Sequence, residues 1–406
     1  MQGFEIARTP SLRFGPGRII ELGGWLSSRG LGDVVVILSR SALADPETRA
    51  GVLDNLAEAG VRAEFFRYDR LPDEQGAFDA DRGVFTEASP EVVDAIVASI
   101  EGEPAAVVAI GGGSALDTGK ALSAALVEPG SIVDYLEGVG TRTPSGRCLP
   151  FVAVPTTAGT GSEATKNAVL SRVGPDGFKK SLRHDNYIPD LAIVDPLLHL
   201  GCPPKLTAAS GLDAITQLLE ALVSTGASAL TDALALEGLA AAGRGFLRAV
   251  ERGQADVDAR ADMAYAAYLS GVCLANAGLG TVHGLAGAAG AATSVPHGLF
   301  CGVMLPGVVR RTADALSRRR DSLGALGKYA AAGSALTGQS GGSLEDRIGA
   351  LVARIGEFVR VANLGTLSAW GFDQETVARV AEASGNKGNP YQFTAEERVE
   401  LLELAL

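Results

Sequence analysis

The chain has 406 residues, 47% hydrophobic and 20% charged, a balance that excludes a disordered or fibrous protein. At roughly 100–200 residues per domain, that length provides for two or three domains with a cleft between them. A formal net charge of −12 argues against a sequence-independent grip on nucleic acid or on an anionic membrane, because both need clustered positive charge.

The predicted elements begin with a strand at Val34–Leu38, a helix at Glu47–Ala59, a strand at Ala63–Tyr68, a helix at Pro90–Ile100 and a strand at Ala105–Ile110. This alternation predicts parallel strands covered by helices on both faces, with the ligand crevice at the carboxyl ends of the strands. An acidic stretch, Leu71–Gly83, reads as an exposed insertion without a function of its own. The strand that ends at Ile110 runs into Gly111-Gly112-Gly113-Ser114-Ala115-Leu116-Asp117-Thr118-Gly119-Lys120, a glycine turn opening a helix. Glycines there admit a ligand close to the backbone, and the free N–H groups of a helix start favour a phosphate. Three consecutive glycines are neither a Walker loop nor a spaced G-x-G-x-x-G, so a turn that binds nothing stays open on this segment alone.

Further strands are expected at Phe151–Val154 and Leu191–Val194. Directly after the first, Pro155-Thr156-Thr157-Ala158-Gly159-Thr160-Gly161-Ser162-Glu163 offers hydroxyls that suit a ribose, amide or phosphate, forming a second wall of one cleft. Beyond Pro196 and Pro203-Pro204, Ala- and Leu-rich helical patterns take over. The chain therefore divides into an α/β dinucleotide-binding domain, residues 1–198, and an all-helical domain, residues 199–406. Residues 332–343 read as a Gly/Ser-rich loop between helices, and Arg310-Arg311 and Arg318-Arg319-Arg320 as a solvated helix face.

In the helical half, Asp213 and Gln217 fall four residues apart on one helix face. Two of the four histidines, His283 and His297, each precede a glycine; with Asp213 they make a candidate site for a divalent metal. His184 and His199 read as structural. Cys148, Cys202, Cys273 and Cys301 show no C-x-x-C spacing, which argues against a zinc knuckle or a disulfide framework and for a reduced compartment. The N-terminus lacks a signal-type apolar core and no uncharged apolar run reaches the ~18 residues of a membrane span, so a cytoplasmic protein is expected.

Taken in order, these motifs resemble the iron-containing, or group III, alcohol dehydrogenase family of the dehydroquinate synthase-like fold. The landmarks run from Gly111–Lys120 through Pro155–Glu163, Pro189-Asp190, Asp195-Pro196, Gly211–Ala214 and Asn276–Gly284 to Pro296-His297-Gly298, covering nearly the whole chain. The resemblance implies a Rossmann-like N-terminal domain for a nicotinamide dinucleotide, an all-α C-terminal domain holding a divalent metal such as Fe or Zn, and catalysis between them. It places Gly112, Gly113 and Ser114 at the pyrophosphate with Gly111 also cofactor-binding, Thr156, Thr157 and Ser162 near the nicotinamide and ribose, and Asp117 in the cleft near the nicotinamide, with helix capping as its alternative. Lys179 takes the place of a cofactor-contacting lysine.

The family's metal ligands are one Asp and three His. Asp213, His283 and His297 match, and Gln217 stands at the fourth position, where a neutral amide oxygen is the poorer ligand. Gly287 replaces a further family histidine, which implies a roomier pocket and another route for the proton. At the end of the first strand, Ser39-Arg40-Ser41 in place of an acidic residue suits a 2′-phosphate and favours NADP(H) over NAD(H). The expected activity is hydride transfer between NAD(P) and a small alcohol or carbonyl compound in a homodimer, with catalysis resting on Asp213, His283 and His297. Alternatives are a metal-free reductase resembling maleylacetate reductase, a dehydroquinate synthase-like lyase, and a dinucleotide-binding protein without activity.

Overall fold

Eight strands and thirteen α-helices make up a computed structural model that describes residues 3–40, 42–43, 45–69, 87–172, 177–319 and 323–406. The strands are β1 (Ser11–Phe14), β2 (Asp33–Leu38), β3 (Arg62–Arg67), β4 (Ala106–Gly111), β5 (Phe151–Pro155), β6 (Asn167–Arg172), β7 (Phe178–Arg183) and β8 (Leu191–Val194). Six form a parallel sheet in the order β1-β8-β5-β4-β2-β3, and β6 and β7 pair as an antiparallel hairpin.

Side chains alternate across this sheet, so each face builds its own core. Val35, Ile37, Val107, Ala109 and Ala153 pack against α3 (Pro90–Ser99) and α4 (Gly113–Ala125). Val34, Val36, Val108, Ile110 and Val152 pack instead against α1 (Leu22–Ser27) and α2 (Pro46–Glu58). Both α2 and α3 start at Asp45-Pro46 and Ser89-Pro90, where the first side chain accepts a backbone N–H and the proline presets the first turn. Because β3 lies outside β2 while β4 returns to its other side, strand order reverses between β2 and β4. The turns after those two strands meet at that point, which is where a doubly wound sheet binds its ligand.

The helical part comprises α5 (Pro204–Val223), α6 (Ala229–Arg252), α7 (Val257–Ala277), α8 (Thr281–Ala292), α9 (His297–Ser317), α10 (Leu323–Thr337), α11 (Leu344–Ala362), α12 (Gln374–Ala383) and α13 (Ala395–Glu403). Its centre is α5, which packs against α6, α7 and α9. By length and composition alone α5 could cross a membrane, with a mean hydropathy of 1.2, but 83% of that window is buried inside the protein. Core position, rather than lipid, explains its apolar character.

One expectation needs amendment, and three strands were not foreseen. The loop expected over residues 332–343 is helical as far as Thr337, since Gly333 lets α10 press on α11: a Cβ there would collide with the Arg347 carbonyl. Neither β1 nor the β6–β7 hairpin was expected. Leu71–Gly83, Ser41 and Arg320 lie outside the described residues, whereas Arg310, Arg311, Arg318 and Arg319 are exposed on or just after α9.

Candidate active site

The glycine turn is shaped by the protein around it. Gly112 N-caps α4 in extended backbone, and no side chain caps the helix, so its first N–H groups stay free for an anion. A Cβ on Gly113 would come 2.6 Å from Thr160 Cγ2, and one on Gly111 would come 2.7 Å from Ser39 Cβ. Close approach of the neighbouring walls therefore requires the glycines, before any ligand is considered.

One cleft of about 590 Å³ brings most of the sequence-derived residues together. Ser39, Arg40, Gly112, Gly113, Ser114, Thr156 and Thr157 line its α/β side, and Asp213 and His297 line its helical side. Arg40 is exposed and makes no ion pair among the described residues. Asp117 and Ser162 stand behind this lining. The Ser162 hydroxyl donates to Asp117 Oδ1 at 2.5 Å and the Val169 N–H to Oδ2 at 3.0 Å. Burial, opposed by Lys120 and these bonds, holds the Asp117 carboxyl above the usual carboxylate value. Its place inside α4 rules out the helix-cap alternative.

Lys120, fully buried, ties the two walls together by donating to the Ser162 carbonyl at 2.8 Å, to the Asn167 carbonyl at 2.9 Å and to the Thr165 hydroxyl at 3.1 Å. His199 is also buried; its Nε2 lies 3.0 Å from the Pro155 carbonyl, and burial lowers the imidazole to about 4. The ring thus packs neutral under the end of β5. His184 accepts from the Asn186 N–H.

Lys179 is placed differently from the pyrophosphate turn. It pairs with Glu87 at 2.7 Å and lines a second cavity, of about 770 Å³, on the other side of His283. A Cβ on Gly287 would meet nothing within 4 Å, so this cavity is open where the family histidine is missing.

Between the two cavities, α5, α8 and α9 converge. Asp213 Oδ1 lies 3.2 Å from His283 Nε2 and 3.7 Å from His297 Nε2. Cys301, one turn after His297 on α9, brings its Sγ within 3.8 Å of both Nε2 atoms. The four ligand atoms all lie within 4.8 Å of one another. Glu220, two turns after Asp213 on α5, accepts from the Val282 N–H at 2.6 Å and holds His283 Nδ1 at 2.8 Å. It thereby substitutes for the side-chain cap that α8, starting after Gly280, lacks.

The charges in this cluster are set by burial and by one another. Burial works against a proton on His283, but Cys301, Asp213 and Glu220 hold its pKa well above the ordinary value. For His297, burial wins and lowers the imidazole to about 4. Burial likewise pushes the Cys301 thiol up to about 11, while the imidazoles overcome burial at Asp213 and lower its carboxyl. A carboxylate, two imidazoles and a thiol at one focus are the donor set of a divalent transition metal, and His297 Nδ1 is buried without a partner among the described residues.

Gln217, counted with the ligands on the sequence, sits beside this focus. Its Nε2 donates to Asp213 Oδ2 at 3.3 Å and its Oε1 accepts from Ser270 at 2.7 Å. The carboxylate only accepts hydrogen bonds, so the amide end that faces it must be the nitrogen. Sequence reasoning missed Cys301 and Glu220. Both were detectable as same-face neighbours, Cys301 at i+4 from His297 and Glu220 at i+7 from Asp213.

Comparison with known proteins agrees with this layout. The iron-containing alcohol dehydrogenase family profile matches residues 9–196, and the profile of the Fe-containing alcohol dehydrogenase C-terminal region matches residues 207–406. The chain belongs to the iron-containing alcohol dehydrogenase family. Among family members, alcohol dehydrogenase 4 of Saccharomyces cerevisiae is 37% identical over 300 residues, which are 74% of this chain and 75% of the yeast protein. Long-chain-alcohol dehydrogenase 1 of Geobacillus thermodenitrificans is 40% identical over 60% of this chain, a match that spans 62% of that relative's length. Of solved structures, 1,3-propanediol oxidoreductase superposes with a TM-score of 0.84 at 28% identity, and the Oenococcus oeni alcohol dehydrogenase with 0.83 at 26%, each covering all of both chains.

Proposed function

We propose that this family member is an NAD(P)-dependent alcohol dehydrogenase that interconverts an alcohol and its aldehyde or ketone. One observation carries the reading: the free N-terminus of α4 and the Asp213/His297 pair face each other across a single cleft. When bound, the nicotinamide supplies hydride chemistry and a divalent ion held by the Asp213 cluster supplies Lewis acidity.

The chain's own residues divide the remaining work. The α4 N–H groups and Ser114 receive the pyrophosphate, and Thr156 and Thr157 position the ribose and nicotinamide side. Asp117, Ser162 and Lys120 brace the two walls from behind. Arg40, at the end of β2, receives a 2′-phosphate, which favours NADP(H). Glu220 fixes the ring of His283. Opposite Gly287 no imidazole relays the hydroxyl proton, so water in the open second cavity takes it. Residues 1–198 bind the cofactor and residues 199–406 hold the metal, in a cytoplasmic homodimer whose stoichiometry light scattering would read.

The second cavity also informs the substrate class. Lys179, Lys180, Arg379 and Lys387 line it beside His283, and among the described residues no carboxylate does. Among the described residues, only Lys179 of these four has a close ion pair, with Glu87. An aldehyde or ketone with an anionic tail, carboxylate, sulfonate or phosphonate, fits this charge. The test is oxidation of NADPH and NADH by a panel of neutral and anionic aldehydes. Turnover supports the reading, and cofactor binding with no turnover on any of them overturns it.

A further inference from the structure

The departure at position 217 has a counterpart on α9. Resting on the metal-dependent reading above, we propose that the metal centre is a thiolate set, Asp213–His283–His297–Cys301, in which Cys301 takes the position that Gln217 leaves.

The spacing of the donors supports this. Tetrahedral coordination at Zn–N and Zn–O lengths near ~2.0 Å and Zn–S near ~2.3 Å separates N and O ligands by about 3.3 Å, and N and S ligands by about 3.6 Å. The distances here are 3.2 and 3.7 Å for the two Asp213–imidazole pairs and 3.8 Å for each Cys301–imidazole pair. These four of the six pairs stand within a few tenths of an ångström of that spacing, and all four ligand atoms lie within 4.8 Å of one another.

The hydrogen bonds point the same way. Glu220 on Nδ1 of His283 makes that nitrogen the donor and leaves Nε2 for a metal, the arrangement of a carboxylate–histidine–metal triad. Gln217 holds Asp213 Oδ2 and leaves Oδ1 facing the imidazoles, with its own carbonyl turned to Ser270. Cys301 is completely buried, and its sulfur lies nearly equidistant from the two Nε2 atoms. A thiol proton can serve only one of two such nitrogens, whereas an ion among them is bound by both imidazoles and the sulfur at once.

The chemistry then differs from a set of one Asp and three His. A thiolate is a soft ligand that selects for zinc over magnesium or manganese, and its binding releases a proton. The i,i+4 pair that supplies two ligands has moved from α5 to α9, with Gln217 reduced to positioning Asp213.

Cobalt(II) substitution tests the ligand directly, because a cysteine thiolate on cobalt gives a near-ultraviolet charge-transfer band that oxygen and nitrogen ligands do not. The full-length protein, stripped by chelation, is dialysed against cobalt(II) and its bound metal and spectrum are measured, alongside Cys301→Ser and Gln217→Ala. The wild type is expected to bind equimolar cobalt with the band. Cys301→Ser should lose the band and bind roughly tenfold or more weakly, whereas Gln217→Ala should keep the band. Equimolar cobalt without the band, or a band that survives in Cys301→Ser, overturns the thiolate assignment and leaves the metal-dependent reading standing. No cobalt bound by the wild type overturns both.

Discussion

His283 and Glu220 are joined by a 2.8 Å contact between imidazole Nδ1 and carboxylate Oε2, deep between α5 and α8. The carboxylate accepts only, so it fixes the tautomer of the ring as well as its orientation. The same carboxylate receives the Val282 N–H, coupling the start of α8 to the position of the ligand it carries.

Removing Glu220 should therefore weaken metal binding without touching a ligand. Glu220→Ala is expected to lower zinc affinity by about 10–100-fold and to cost about 1–3 kcal/mol of stability through the exposed α8 start. Glu220→Gln, which still offers a carbonyl to Nδ1, should lose less of the affinity. Zinc titration with a competing chromophoric chelator, together with thermal melts, reads both effects; unchanged affinity in Glu220→Ala would refute the orienting role.

Arg40 is expected to select the cofactor. A charge-assisted bond to a 2′-phosphate contributes about 1.5–3 kcal/mol, so Arg40→Asp should shift the NADPH-to-NADH ratio of kcat/KM by at least about tenfold toward NADH. A ratio that does not move removes Arg40 as the selector.

Lys387 should act on the substrate alone. It lines the second cavity with His283, so Lys387→Ala is expected to raise KM for an anionic aldehyde by roughly tenfold and leave a neutral aldehyde of the same length unaffected. Equal losses on both substrates would contradict the anionic-tail reading.

Glu163 gives the protein a pH-dependent cost. It is 2% exposed at the end of the Ser/Thr loop, and burial raises its carboxyl to about 7 from an ordinary 4.5. The folded state then holds the proton more tightly than the unfolded chain. Its stability contribution is fully present below pH 4.5 and is lost as pH rises through about 7. Wild type should therefore lose stability relative to Glu163→Gln over this window, by an amount on the order of 3 kcal/mol. Melting temperatures of the two proteins that keep a constant gap from acid to neutral pH would contradict this.

Much of the architecture is legible in local patterns, because β2, β4, β5 and β8 are buried runs whose apolar residues declare them. Strand β1 is a four-residue edge strand with a half-exposed pattern, and β7 reads Phe-Lys-Lys-Ser-Leu-Arg, mostly polar. Neither carries enough apolar signal to stand out. Gly333 looks like a loop residue until the backbone of α11 is seen against it. At the site, Asp213, His283 and His297 are visible as residue types that metals use, whereas Cys301 is hidden by its distance in sequence from the other cysteines. Its partnership with His297 is a property of helix periodicity, and with Asp213 and His283 a property of how three helices cross.

The most direct test of the central claim is elemental analysis of protein purified without chelator, paired with aldehyde-dependent oxidation of NADPH and NADH before and after chelation. A metal-dependent dehydrogenase built on the Asp213 cluster predicts near-stoichiometric metal, zinc above the others, and turnover that chelation abolishes and zinc restores. Turnover that persists at full rate in metal-free protein would contradict it.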